Sequence, residues 1–163
     1  MATVLGSSSG AGNRHTLTSE FGLVPDYALI NSTDADGIFS DTGYNHVWVR
    51  GTVTGMSNAI QLGDTSADSS NRIVVDQIGF LSGIYAVRVY GNGSSVVNAG
   101  TISGTDSGVY FSGTAGQSQS VTNTGNIFGP TFGVNVDGMS NFTVNNTGII
   151  QGSTAIILGG GAD

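Results

Sequence analysis

The chain of 163 residues contains no cysteine and no lysine. The first absence excludes a disulfide framework, a thiolate zinc site and a cysteine nucleophile. All four cationic side chains are arginines, Arg14, Arg50, Arg72 and Arg88, set against eleven acids for a net charge of −7. That balance argues against a nucleic-acid binder that works by neutralising phosphates. Two histidines, His15 and His46, are too few for a histidine-rich metal cage. Charged residues make up only 9%, against about a quarter in an ordinary soluble domain. No stretch approaches the roughly 20 apolar residues of a membrane helix, so no membrane insertion is expected. The opening, Met1–Gly12, has neither the cationic nor the apolar region of a secretory signal.

What the chain does have is glycine, 27 residues of it, with a hydrophobic share of 38% that is too high for a simple disordered tract. Such a composition calls for a search for internal repeats. The segments starting at Val96, Val121 and Val144 read VVNAGTISG, VTNTGNIFG and VNNTGIIQG, a V-x-N-x-G-x-I-x-G pattern at steps of 25 and 23 residues. Each is followed by a small residue and an alternating apolar pair. Weaker copies extend backwards through Val74–Ser82, Val47–Gly55 and the tail Gly37–Ser40. The small residues at 37, 59, 86, 108, 133 and 155 mark six copies at steps of 22 to 27.

Stacked on this register, the copies give apolar columns: Ile38, Ile60, Val87, Val109, Val134, Ile156, and two residues on Ser40, Leu62, Val89, Phe111, Val136, Leu158. A third column reads Val53, Phe80, Ile102, Ile127, Ile150, and a fourth Val47, Val74, Val96, Val121, Val144. Between these two runs Gly51, Ile78, Gly100, Gly125, Gly148. Alternation of period two within each copy is strand periodicity. One copy cannot bury its apolar side alone, whereas copies stacked at about 4.8 Å per layer make one continuous interior. The expected fold is all-β, a right-handed parallel β-helix (β-solenoid) of about six coils. An antiparallel β-sandwich is the alternative, but it has no reason to repeat its columns in register. Residues 1–26 fall outside the repeat and are expected as an N-terminal arm and capping segment, with 27–163 as the solenoid domain. No polar cap follows Ile156–Leu158, so the chain is expected to be a piece of a longer protein, or to be covered at that end by another chain.

The segments VVNAGTISG, VTNTGNIFG and VNNTGIIQG, with the closing AIILGGGAD, resemble repeats of bacterial autotransporter-type passenger domains and of type I-secreted glycine/aspartate-repeat surface adhesins. The resemblance spans about residues 29–163. It implies a β-helix at the cell surface or outside the cell, working in adhesion or as a scaffold.

Candidate sites are few. Asn98, Asn123 and Asn146 recur in one column, with Asp76 at the equivalent place one coil earlier, which predicts a structural ladder of side chains bonding along the axis. Asp76 is also within reach of Arg50 on the adjoining coil. Tyr85, Arg88, Tyr90 and Tyr110 point outward on consecutive coils, a strip suited to a sugar or a protein partner, with scattered surface residues as the plainer explanation. Asp34, Asp36 and Asp41 are candidate ligands for a hard cation such as calcium, although solvated turn acids explain them as well. Gly159–Asp163 resembles the opening of a calcium-binding nonapeptide. Glycosidic cleavage needs two carboxyls about 5–9.5 Å apart, and the acids fall in different columns. No catalytic residue and no cofactor are therefore assigned.

The function these features point to is a non-enzymatic structural or adhesive module of a secreted or cell-surface protein. Its partners would be a surface glycan, a host protein, or other copies through the coil ends. The alternatives are a polysaccharide-processing β-helix using Asp34, Asp36 and Arg88, and a trimeric phage receptor-binding segment.

Overall fold

The structure, a computed structural model, describes residues 2–114, 116–139 and 141–160, and it contains strands, turns and bends with no helix among them. The chain winds through seven coils. Coil 1 carries β1 (Ala2–Val4), β2 (Ser8–Gly10) and β3 (His15–Thr16); coil 2 carries β4 (Phe21–Val24), β5 (Leu29–Ser32) and β6 (Ile38–Ser40). Coil 3 carries β7 (His46–Val49), β8 (Thr52–Thr54) and β9 (Asn58–Leu62). In coil 4, β10 (Arg72–Val75) is followed by β11 (Phe80–Tyr90), and in coil 5, β12 (Ser94–Asn98) by β13 (Thr101–Ser112); both long strands run through a bend and serve two faces. Coil 6 carries β14 (Ser118–Asn123), β15 (Asn126–Phe128) and β16 (Phe132–Met139), and coil 7 β17 (Asn141–Asn146), β18 (Ile149–Gln151) and β19 (Thr154–Gly160).

Every strand pair is parallel, and the partners are always one coil apart. One face follows the order β1-β4-β7-β10-β12-β14-β17; the second runs β2-β5-β8-β11-β13-β15-β18, and β3, β6, β9, β16 and β19 add the third. This is the β-solenoid that the stacked columns require. Its interior is the columns themselves. Ile30, Val53, Leu81, Ile102 and Ile127 lie in register on the second face, each 0% exposed. Ile38, Ile60, Val87, Val109 and Val134 do the same on the third. Fully burying one such side chain contributes about 1.5–3 kcal/mol, so the stack is the main source of stability.

Two expectations need correcting. Residues 2–16 are an additional in-register coil, with Ala2↔Phe21, Ser8↔Ile30 and His15↔Ile38 paired to coil 2. The repeat search misses it because its inward positions are mostly polar. The copy at Val74–Ser82 is also displaced by one residue. Ile73 faces Val47 and Val96, and Leu81 faces Val53 and Ile102. The corner between β10 and β11 has four residues, Asp76 to Gly79, where Ala99-Gly100 has two, so a fixed spacing fails there. A one-residue slip turns a strand over: Phe80 and Ile78 are exposed while Ile73 and Leu81 are buried, and Gly79 replaces Ile78 in the glycine column. That column needs glycine for close approach, because a Cβ at Gly125 would run into the carbonyl oxygen of Gly100.

Candidate functional site

The outward strip lies on the third face. Val87 and Val89 of β11 point inward, so alternation sends Arg88 and Tyr90 out; Ala86 and Val87 are both buried, and this break in the alternation beside the irregularity at Gly83–Tyr85 leaves Tyr85 on the outer side as well. Register then places Tyr110 of β13 beside Arg88, with Asn135 beyond it and Gln61 before it. The Arg88 guanidinium carbon sits 5.6 Å from the Tyr85 ring centre, 5.1 Å from that of Tyr90 and 5.4 Å from that of Tyr110. The Tyr85 and Tyr110 rings are tilted at 42°, with centres 5.2 Å apart. All four predicted contact residues thus form one cluster, a cation framed by three aromatic rings. At this distance each cation–π contact is worth about 0.5–2 kcal/mol, more as the site dries.

The cluster is half-buried, and its electrostatics follow from that. Burial pushes the Tyr90 phenol above its ordinary value, against the pull of Arg88. Burial also raises Tyr110, helped by Asp137, whose Oδ2 accepts a hydrogen bond of 3.1 Å from the Tyr110 hydroxyl. Both phenols therefore stay neutral across physiological pH. Among the described residues no carboxylate lies within ion-pair distance of Arg88, and its buried Nε has no hydrogen-bond partner. The strip presents rigid half-exposed rings, one cation and flanking amides, an arrangement suited to contact.

The other predicted residues sit in turns and corners. Asn98 Nδ2 donates to Asn123 Oδ1 at 2.7 Å, and Asn123 Nδ2 to Asn146 Oδ1 at 2.8 Å. The same amides donate to the carbonyls of Gly100 and Gly125 at their own corners, which ties each turn to the next. Asp76 is not a rung. Register puts Val75 opposite Asn98, because the longer corner carries Asp76 one place past the strand. Asp76 instead accepts from the Gln77 backbone N–H and lies 3.6 Å from Arg50, which also faces Asp26 at 3.8 Å.

A second ladder escaped the sequence reading. At the corner before the first face, Asn45 N–H donates to Asn71 Oδ1 at 3.0 Å, and Asn71 N–H to Ser94 Oγ at 3.1 Å. All three are buried. The signal was a polar residue just before each first-face strand, obscured because its type changes from coil to coil.

The acids are occupied separately. Asp34 Oδ1 accepts from Gly12 N–H at 2.6 Å, and Asp36 Oδ1 accepts from both the backbone and the side-chain amide of Asn58. Asp41 is exposed, and among the described residues no group of three or more histidines, cysteines or acids is placed to hold a metal ion. Of Gly159–Asp163, residues 161–163 lie outside the described residues. An open crease of about 500 Å³ is lined by Ser103, Phe128, Pro130, Gln151, Ser153 and corner glycines. None of those side chains titrates, so the crease offers no general acid or base.

Comparison with protein-family models, with curated proteins and with solved structures yields no match.

Proposed function

We propose that the chain is a non-enzymatic structural and adhesive module of a secreted or cell-surface protein, in which the solenoid is a rigid rod and the Tyr85–Arg88–Tyr90–Tyr110 strip touches the partner. The observation that carries this reading is the strip itself: three rings held around one cation on a face whose backbone is locked by parallel ladders on both sides. Preordered aromatic area contacts another surface with little entropy cost, and tyrosine hydroxyls add directional hydrogen bonds. A neutral or weakly acidic surface glycan fits such a strip, since sugar rings carry apolar faces between polar edges. Against the polysaccharide-processing alternative stand the commitments of Asp34 and Asp36 to turn hydrogen bonds on coil 2, away from Arg88 on coil 4.

The test is a glycan-array or cell-surface binding measurement with the chain and its Tyr110→Ala and Arg88→Ala variants, alongside a turnover assay on neutral and acidic polysaccharides. The expected outcome is binding that falls at least tenfold in both variants with unchanged strand-type circular dichroism, and no turnover. Release of reducing ends or unsaturated products would defeat the reading, as would equal binding by all three proteins.

A further inference from the structure

The outside of the first face carries a row of its own. Val24, Val49, Val75 and Asn98 close their strands with inward side chains, so alternation turns Leu23, Trp48, Val74 and Val97 outward, one on each of coils 2 to 5. Register sets Leu23 beside Trp48, Trp48 beside Val74 and Val74 beside Val97. At the strand spacing of about 4.8 Å these four make a single-file apolar row about 14 Å long. Trp48, the one tryptophan of the chain, is 41% exposed within it. On coil 6 the row passes into polar Thr122. Apolar residues scattered singly over a surface need no explanation, whereas a contiguous set rimmed by polar groups marks a contact surface.

Three observations identify the occupant. First, the row is one side chain wide. The His46 ring stacked on Phe21, then Arg72 and Ser95, follow one edge, and Arg50 with Asp76 the other. A broad apolar partner would strand those polar groups away from water, but a narrow chain lying along the rod leaves them solvated or bonds them. Second, β4, β7, β10 and β12 are each hydrogen-bonded on both sides, so the face has no backbone group to offer an incoming strand. An extended peptide laid there would lose water from its amides without gaining partners. A sugar chain has no such backbone, and each of its rings carries an apolar C–H face between polar edges. Third, among the described residues neither outward row of the face holds a carboxylate, and Arg50 is paired with Asp76. The chain carries −7 overall, so a polyanion or a second copy meets like charge, whereas an uncharged polymer does not.

We propose that this row is a binding track for an uncharged, extended polysaccharide strand lying along the rod axis, with ring faces on Trp48, Val74 and Val97 and hydroxyls at Arg72 and Ser95. The coil spacing is close to the length of one sugar ring in an extended chain, so successive rings meet successive coils. The track lies on a different face from the Tyr85–Arg88–Tyr90–Tyr110 strip and does not rest on the adhesive reading.

Trp48 fluorescence reports on the track directly, because no other tryptophan contributes. The probes are β-1,4-linked hexasaccharides of glucose, mannose and N-acetylglucosamine, with an α-1,4-linked glucose hexamer and a β-1,4-linked mannuronate hexamer as the coiled and the anionic comparators. The expected result is a saturable change in emission with at least one of the three extended neutral probes, and weaker binding of both comparators. Val74→Thr keeps a β-branched side chain at a half-exposed position and should weaken that binding about threefold, and Trp48→Ala, followed by calorimetry, about tenfold. Tyr110→Ala should leave it unchanged, and circular dichroism verifies that all three variants fold. An emission that none of the neutral probes alters overturns the proposal, as does equal or tighter binding of either comparator. An emission that varies with protein concentration in the absence of probe overturns it too, since a second copy then covers the row. Binding lost in Tyr110→Ala but kept in Trp48→Ala overturns the track while leaving the strip as the contact.

Discussion

Coil 1 and coil 7 do the same mechanical job, since each covers the coil beneath it, but they are made differently. Ile30 and Ile38 under coil 1 are as fully buried as Ile127 and Val134 under coil 7. Coil 1 achieves this with a polar layer. Arg14 reaches back so that its Nε and Nη2 donate to Ser8 Oγ at 3.0 and 2.8 Å, and His15 Nε2 lies 3.0 Å from the Gly6 carbonyl. Leu5 and Leu17 fold over Gly22, where a Cβ would meet the Leu5 side chain at 2.9 Å. Coil 7 repeats the interior pattern instead and leaves it half-exposed. A coil can thus keep the backbone path of its neighbours while its inward positions on the second and third faces change from isoleucine to serine and histidine.

The largest effect expected from this contrast lies in one column. Ile30 and Ile150 hold equivalent inward positions on the second face, one below the polar layer and one at the open end. Ile30→Ala removes a fully buried side chain from packing that is closed on every side, and should cost about 2–5 kcal/mol in urea unfolding at low protein concentration. Ile150→Ala leaves a gap that solvent already reaches in part, and should cost less than half as much. Equal losses would mean that coil 7 is as closed as coil 1 and that the contrast between the ends is wrong.

A smaller effect tests the polar layer directly. Arg14→Ala removes both bonds to Ser8 and the 2.6 Å bond to the Ala11 carbonyl, at a half-buried site. The expected cost is about 1 kcal/mol. Its location is more diagnostic than its size: amide exchange should accelerate in β2 and β3 and stay unchanged from β7 onward, because in a solenoid each coil contacts only its neighbours. Acceleration spread evenly over all seven coils would show that Arg14 supports global folding and that coil 1 is no separate layer.

The fold is legible in the sequence wherever the corner between the first and second faces keeps its length. From Val96 onward that corner is two residues long, and there the columns read from the sequence are those found in space, including Asn98, Asn123 and Asn146. Where a corner lengthens, as at Asp76–Gly79, the sequence carries no mark separating an inserted residue from a shifted strand, and Val74, Phe80 and Asp76 were misassigned. Coil 1 is hard to see in the sequence because Ser8 and His15 stand where the interior columns of the next coils carry aliphatic residues. The outward strip was legible as alternation and register, since Arg88 and Tyr110 share a column. The tight grouping of all three rings around one guanidinium was not, because ring directions depend on rotamers that a sequence does not fix.

The smallest effect distinguishes the two halves of the rod by acid. His46, on the first face of coil 3, packs its ring against Phe21 with centres 4.7 Å apart, next to Arg72 in the register. Its Nε2 is buried without a hydrogen-bond partner. Burial, aided by the Arg72 charge, holds its pKa below the ordinary value of 6.5. The unfolded chain therefore takes up this proton at a higher pH than the folded one, and stability rises with pH across that interval. His46 costs almost nothing well above pH 6.5, where both states are neutral, and it penalises the fold progressively as pH falls through that value. His46→Gln keeps a polar side chain but cannot titrate. The difference between the urea midpoints of the original chain and His46→Gln should thus be flat above pH 7 and drift against the original chain between pH 6.5 and 5. Exchange should accelerate first in β4, β7 and β10, the strands around the ring, and not in the histidine-free coils 5 to 7. A parallel pH dependence in both proteins would place the acid sensitivity elsewhere and remove His46 as the reason the N-terminal half softens first.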